Sequence, residues 1–353
     1  MKKKNLLAIL LPIQIIIVNV LGFFPEFIEK FYSNGLFVYI SKLSRIIFGV
    51  VGFSIGDIIY CITIFFAVRW LWKKRKTWKS AYKHNLISIV SSFSVAYFLF
   101  NFLWALNYYR VPLDKKLGIE KKYTEQELVD FTLKLITKAN QTHILITQSD
   151  TIKVIIPHST NIIYDASPLA YQNLSKQFPF FEYKYESVKS SLISTPLSYM
   201  GFGGYLNPFT NEAQVNSNLP LYNLPTTTCH EMAHQIGYAS ESEANFIGYM
   251  ASVHSNDVYF KYSGYTFALK YCLANISKFD KEKAKSMAKL VNKGIKLNFK
   301  ESEAFNEKYA SVVEDFFKYV YDNFLKINKQ KDGLEGYSKF TGLLINYYRD
   351  KDL

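Results

Sequence analysis

Three long apolar runs open the chain, and beyond them the pattern breaks into shorter stretches with helical or alternating spacing. The first run, Asn5 to Phe24, carries no charge and is long enough for a membrane-crossing helix. A second goes from Phe53 to Trp72, with Asp57 and Arg69 near its ends, and a third, Leu86 to Tyr109, is uncharged. Trp70, Trp72, Trp104, Tyr108 and Tyr109 sit at the run ends, as an interfacial aromatic belt would. The pattern predicts membrane helices over about 5–24, 53–72 and 86–109. Met1-Lys2-Lys3-Lys4 could lead a signal peptide, but the run is long and Asn19-Val20-Leu21-Gly22 is a poor cleavage site. The expectation is therefore an uncleaved anchor. Leu36 to Val51 is apolar with Lys42 and Arg45 interspersed, which suits a helix lying in the interface or one packed on an outer domain.

After Arg110 the spacing becomes that of a globular domain. Thr124 and Glu127 make a capping box ahead of Leu128, Phe131, Leu133 and Ile136. Thr151 to Ile156 is β-branched and reads as a strand. Asp165 to Gln177 reads as a helix with Pro168 in its first turn. Leu192 to Pro220 is rich in Gly, Pro, Asn and aromatics, predicting turns and short strands, with Glu212 to Asn218 extended. Helical spacing returns over Asp280–Leu297, Glu301–Lys326 and Tyr337–Tyr348. The predicted class is α+β, mainly α: a membrane region over 1–110 and a single domain over 111–353 with a small sheet and a helical C-terminal region.

Charge sets the orientation. The net charge is +13 over 353 residues, a value that invites a nucleic-acid partner, but its distribution argues against one. Residues 1–110 hold 14 Lys and Arg against 3 Asp and Glu, a net of +11, and the remainder is almost balanced. The excess gathers in the apolar third, above all at Lys73, Lys74, Arg75, Lys76, Lys79 and Lys83. A short loop of that composition marks the cytoplasmic side. With the loop 73–85 inside, Pro25–Gly52 and residues 111–353 lie outside. Three cysteines exclude a disulfide framework.

The chemistry gathers at His230-Glu231-Met232-Ala233-His234. On a helix, positions i and i+4 share a face, so both imidazoles can reach one ion, a single Zn2+. Glu231 beside that ion can take a proton from its water. Pro225 near the start and Gly237 just past the end delimit a short helix. A catalytic zinc needs a third protein ligand and leaves its fourth position to water. Ser240-Glu241-Ser242-Glu243 follows, and Ser240 with Glu243 would form a capping box on a returning helix. That leaves Glu241 as the third ligand, with Glu243 as the alternative.

These residues resemble the gluzincin type of zinc metallopeptidase, in which His-Glu-x-x-His is followed on the next helix by Glu-x-x-x-Asp. The resemblance implies that the residue one turn after the ligand glutamate orients a metal-bound histidine. Here that place is held by Asn245, whose amide can accept from an imidazole but carries no charge. It also implies that Ala213, Gln214, Val215 and Asn216, just ahead of the helix, form an edge strand that pairs with an extended substrate. An ordinary hairpin strand fits the same residues. The whole chain, through its three apolar runs, Asn107-Tyr108-Tyr109-Arg110, Gly204-Tyr205-Leu206-Asn207-Pro208 and the His230–Asn245 block, resembles a family of bacterial membrane proteins catalogued as domain of unknown function 3810.

The expected protein is a multi-pass component of the bacterial cytoplasmic membrane with its soluble domain outside. Its partners are the lipid bilayer and a peptide or protein substrate, cut by zinc-dependent hydrolysis. The alternative is a non-catalytic envelope protein with a structural or vestigial zinc site that binds a partner.

Overall fold

Helices dominate the chain, and a three-stranded sheet is the β-structure among the described residues. The computed structural model describes residues 3–328, 330 and 337–353, so Met1 and Lys2 lie outside it. The first third contains α1 (Lys3–Leu21), α2 (Phe37–Gly49), α3 (Ile55–Lys74) and α4 (Tyr82–Leu103). Of these, α1, α3 and α4 are long and apolar enough to cross a membrane. α1 and α4 pack side by side, with Ser91 Oγ donating to the Lys4 carbonyl at 2.7 Å. The third apolar run stops being α-helical earlier than its spacing predicts. Trp104 leaves helical backbone at φ −156°, and Ala105–Tyr109 wind into a tighter 3-10 turn.

Between α1 and α2 the chain passes from Pro25–Phe27 into a wide π-helical turn, Ile28–Leu36. Ile28, Tyr32, Phe37, Ser41 and Arg45 are buried. The step from Tyr32 to Phe37 is one residue longer than the others, and the π turn absorbs it, so one stripe stays inward. On the opposite face Tyr39, Leu43, Ile46, Ile47 and Val50 are exposed. One face of the segment thus packs on the domain beyond Arg110, where Ser41 and Arg45 donate to the Gln235 carbonyl, and the other is apolar and exposed.

Beyond Arg110 come α5 (Glu125–Thr147), α6 (Thr160–Gln177), α7 (Leu224–Gln235), α8 (Glu241–His254) and α9 (Val258–Phe279). Then follow α10 (Lys281–Lys289), α11 (Lys293–Tyr309), α12 (Val312–Ile327) and α13 (Tyr337–Tyr347). The predicted capping box opens α5: Glu127 N–H donates to Thr124 Oγ1 at 3.1 Å and Thr124 N–H to Glu127 Oε2 at 2.7 Å. α7 and α8 lie inside the core, with Met232, Ala233, Phe246 and Ile247 packed among Leu135, Leu174 and Leu269.

Three local expectations are corrected. Thr151–Ile156 is not a strand, because its Val154 backbone is satisfied by a side chain: Val154 N–H donates to Asn298 Oδ1 at 3.0 Å and Asn298 Nδ2 to the Val154 carbonyl at 3.1 Å. α6 begins at Thr160 behind the Ser159 cap, so Pro168 lies in its interior. The two long C-terminal stretches are each broken, at Leu290–Asn292 and at Ala310–Ser311, where Ser311 caps α12.

The sheet has the order β1-β3-β2, with β1 (Val188–Ser190) parallel and β2 (Gly204–Leu206) antiparallel to the central β3 (Ala213–Val215). It is fastened to the start of α3. Glu212 accepts from the Ile55 and Gly56 N–H groups at 3.1 and 2.5 Å, where the helix dipole favours a carboxylate. The buried Lys189 pairs with Glu212 at 2.5 Å and donates to the Phe48 and Phe53 carbonyls. Contacts also cross Arg110: Trp104, Tyr108, Ala239 and Leu325 belong to one buried cluster.

Candidate functional site

Helical spacing brings His230 and His234 together, as predicted. Pro225 stands in the first turn of α7, and Gly237, at φ +89°, turns the chain out of it. The two Nε2 atoms stand 3.1 Å apart. α8 then returns close by, because Gly248 lets it approach. A Cβ there would lie 2.9 Å from the His230 backbone nitrogen and 3.0 Å from its Cα. This approach brings Glu241, the first residue of α8, against both histidines. Its carboxylate oxygens lie 3.2 Å from His230 Nε2 and 3.6 Å from His234 Nε2. His230, Glu231 and His234 likewise offer ligand atoms all within 4.8 Å of one another, a set that could hold a cation.

The charges respond to this crowding. Burial opposes charge on His234, but Glu241 outweighs it and holds the imidazole at about 9. Burial also works against the Glu241 anion, yet the two histidines keep its carboxyl well below the usual range. Glu231 is different: burial pushes its carboxyl up, and the histidines only partly offset this. Its Oε2 is buried and has no hydrogen-bond partner among the described residues, and neither does His230 Nδ1. Glu241 keeps 29% of its side-chain surface exposed against 6% for His234, so the cluster opens toward solvent on the Glu241 side.

Two predicted neighbours do not take their expected roles. The Ser240–Glu243 capping box does not form: Ser240 makes no side-chain cap, and Glu243 accepts from the Leu113 N–H at 2.7 Å. Glu243 is thereby turned away from the histidines, and Glu241 is left beside them. Among the described residues Asn245 makes no hydrogen bond to either histidine. His234 Nδ1 meets the Tyr238 carbonyl instead, at 2.7 Å, which fixes its tautomer.

The edge-strand expectation is corrected as well. Ala213, Gln214 and Val215 form the central strand, paired on both sides and fully buried, and Asn216 is buried beyond its end. The edge nearest the site is β2. Bonds join Asn216 to Gly203 and Asn207 to Glu212, so the antiparallel alternation leaves the backbone groups of Gly204 and Leu206 facing outward. Gly204 lies directly over Glu231: a Cβ there would be 2.6 Å from Glu231 Oε1.

Residues with no local signal complete the site. Tyr321 of α12 donates its hydroxyl to Glu241 Oε1 at 2.5 Å. Trp104 Nε1 donates to the His234 carbonyl at 3.3 Å, and its ring stands edge-on to the imidazole. Arg110 donates to the Gly237 carbonyl at 2.7 Å, lies over the Tyr238 ring at 4.1 Å and grips Glu29 with two bonds of 2.9 Å. Burial alone would raise the Glu29 carboxyl, but Arg110 and Lys116 hold it down at about 2. Lys116, half-buried beside Arg110, is itself held below the ordinary lysine range by desolvation and that neighbouring charge. Arg45 donates to the Gln235 carbonyl at 2.9 Å, satisfying the C-terminal end of α7. Trp104, Tyr108 and Tyr109 read in the sequence as part of an aromatic belt; all three are buried here, and Tyr108 stands edge-on to the Trp104 ring that flanks His234.

No curated protein and no solved structure matches the chain. The family described as protein of unknown function, DUF3810, matches residues 32–345, from the π turn through the histidine pair and into α13, and the chain belongs to that family.

Proposed function

We propose that this protein is a membrane-anchored, zinc-dependent metallopeptidase that acts on peptide or protein substrates at the outer face of the bacterial cytoplasmic membrane. One observation carries the proposal. His230 Nε2, His234 Nε2 and the Glu241 carboxylate converge with separations of 3.1, 3.2 and 3.6 Å, beside a buried glutamate oxygen with no partner. Ligands about 2.0–2.1 Å from a tetrahedral zinc stand roughly 3.3 Å apart, so two imidazoles and a carboxylate fit that ion in number, type and spacing. A water completing the set would have Glu231 beside it.

Zinc held there would acidify a water and polarise a peptide carbonyl. Glu231 is placed to take the proton of the attacking water and to pass it to the leaving amine. Tyr321 positions Glu241 through its hydroxyl, and the Tyr238 carbonyl positions His234. The outward backbone groups of β2 support an extended substrate running past Glu231, held by main-chain bonds with little sequence choice. The basic loop after α3 sets the orientation, with residues 111–353 outside.

The test separates binding from chemistry. Glu231→Gln should retain zinc and fold while peptide hydrolysis falls by at least roughly two orders of magnitude. His230→Ala should lose both zinc and hydrolysis, because two remaining ligands hold the ion poorly. Full hydrolysis by Glu231→Gln, or no zinc in the purified chain, would overturn the proposal. If Glu231→Gln leaves the cellular phenotype intact while His230→Ala abolishes it, the envelope protein with a structural metal is the better account.

A further inference from the structure

α12 has three faces. At about 100° per residue, Tyr321, Phe324 and Leu325 share the face turned toward the histidine site and the end of α4. Asp315, Lys318, Asp322 and Lys326 share a second. Val312, Phe316, Tyr319, Val320 and Ile327 share the third, an arc of about 100°, and all five are exposed, Phe316 at 61% and Tyr319 at 70%. One polar residue, Asn323, falls within this arc, and its amide donates to the Tyr319 carbonyl of the same helix at 2.8 Å. An exposed apolar stripe of this kind marks a surface that something covers.

We propose that the bilayer covers it: α12 lies in the membrane–water interface with its third face among the acyl chains, and this seat holds Tyr321 on Glu241. The inference rests on α1, α3 and α4 being membrane spans and not on the metal chemistry. Its first support is continuity. Phe324, at the border between the first and third faces, stands 6.0 Å from Phe100 of α4 and 6.1 Å from Tyr108, so the apolar arc runs on directly from the end of a span. The bare apolar face of α2 flanks the same spans, leaving α1 and entering α3. A second support is charge. Lys318 pairs with Glu314 and Lys326 with Asp322, both at 2.6 Å, so the polar face offers no free basic patch to a nucleic acid or acidic protein. The seat is hydrophobic, and neutral lipid suffices for it. α12 is fixed at its start, where Ser311 caps it and donates to the Tyr199 carbonyl, so the bilayer has only to hold the remainder.

The test uses the full chain carrying Cys61→Ser, since Cys61 is exposed while Cys229 and Cys272 are buried. Single nitroxide labels go on Phe316→Cys, on Lys318→Cys and on Phe93→Cys in the middle of α4, in phosphatidylcholine nanodiscs. Collision with oxygen should exceed collision with a water-soluble nickel chelate at positions 93 and 316, with the reverse at 318. In detergent-free nanodiscs with lipid-like behaviour at 93, a water-exposed label at 316 would overturn the proposal. So would a label at 316 shielded from both relaxants or broadened by a second label, which would mean a protein partner or a second copy on the stripe. Water-like behaviour at 93 would overturn the spans themselves, and the interfacial helix with them, while leaving the zinc chemistry untouched.

Discussion

The histidine site has two walls built in opposite ways. One is the α7–α8 pair, adjacent in sequence, deeply buried, and brought together by a glycine. Its donor positions follow from helix periodicity. The other is Trp104–Arg110 with α12. Its contacts reach His234 across 130 residues and Glu241 across 80, and it holds on through single hydrogen bonds and ring contacts. The first wall determines where the imidazole and carboxylate atoms are; the second determines how they are oriented, and it ties them to the three long apolar helices. Changes in the first wall should therefore abolish, and changes in the second should tune.

The largest effect expected is at Glu241. Glu241→Ala should weaken zinc binding by more than the roughly hundredfold that loss of a supporting partner can cause. Glu243→Ala should leave zinc binding nearly unchanged and lower stability instead, since it strands the Leu113 N–H. Zinc titration of both variants with Glu243 emerging as the stronger ligand would break the comparison. Next comes Gly248→Val, which forces α8 away from the His230 backbone. Overpacking at such a contact costs roughly 1–3 kcal/mol, and thermal unfolding together with zinc titration should show both quantities falling. An unchanged melting temperature would mean that the two helices do not depend on this approach.

In the second wall, acid should release the Glu29 clamp. A carboxyl held at about 2 contributes stability above the ordinary value of 4.5 and loses it as pH falls toward 2. By pH 3 about 2 kcal/mol should be gone. Glu29→Gln should remove this part of the pH slope, and an identical slope in the variant would place the acid sensitivity elsewhere. The smallest effect is Tyr321→Phe, which removes one hydrogen bond to a charged group and should weaken zinc by about 1.5 kcal/mol, roughly tenfold, with the fold intact. Loss of all zinc would show that α12 belongs with the first wall.

The same contrast governs how much the sequence revealed. His230, Glu231 and His234 were legible because one helix carries them, and Pro225 and Gly237 mark its ends. The fold class and the three apolar helices were legible from run length and alternation. What failed was whatever a distant partner decides. Ser240 and Glu243 have the local spacing of a capping box, but the Leu113 N–H takes the carboxylate. Ala213–Val215 reads as an edge strand as long as Val188–Ser190, short and polar, goes unnoticed as its second neighbour. Thr151–Ile156 has strand composition, yet the Asn298 amide stands where a neighbouring strand would. Tyr321 carries no mark at all: it lies on an amphipathic helix like any other, and only tertiary packing brings it to Glu241.

The π turn between Ile28 and Leu36 has a consequence for how this protein tolerates change. It works as a counting device, one residue longer than an α-helix of the same rise would need. Deleting one residue there would let the segment close to ordinary α-helix with the inward stripe, Arg45 included, still facing inward. Deleting a second would rotate everything after it by about 100°, swing Arg45 off the end of α7 and turn another face of α2 toward the Gln235 carbonyl. Loss of one residue in this stretch should thus be borne far better than loss of two, although it contains none of the chemistry.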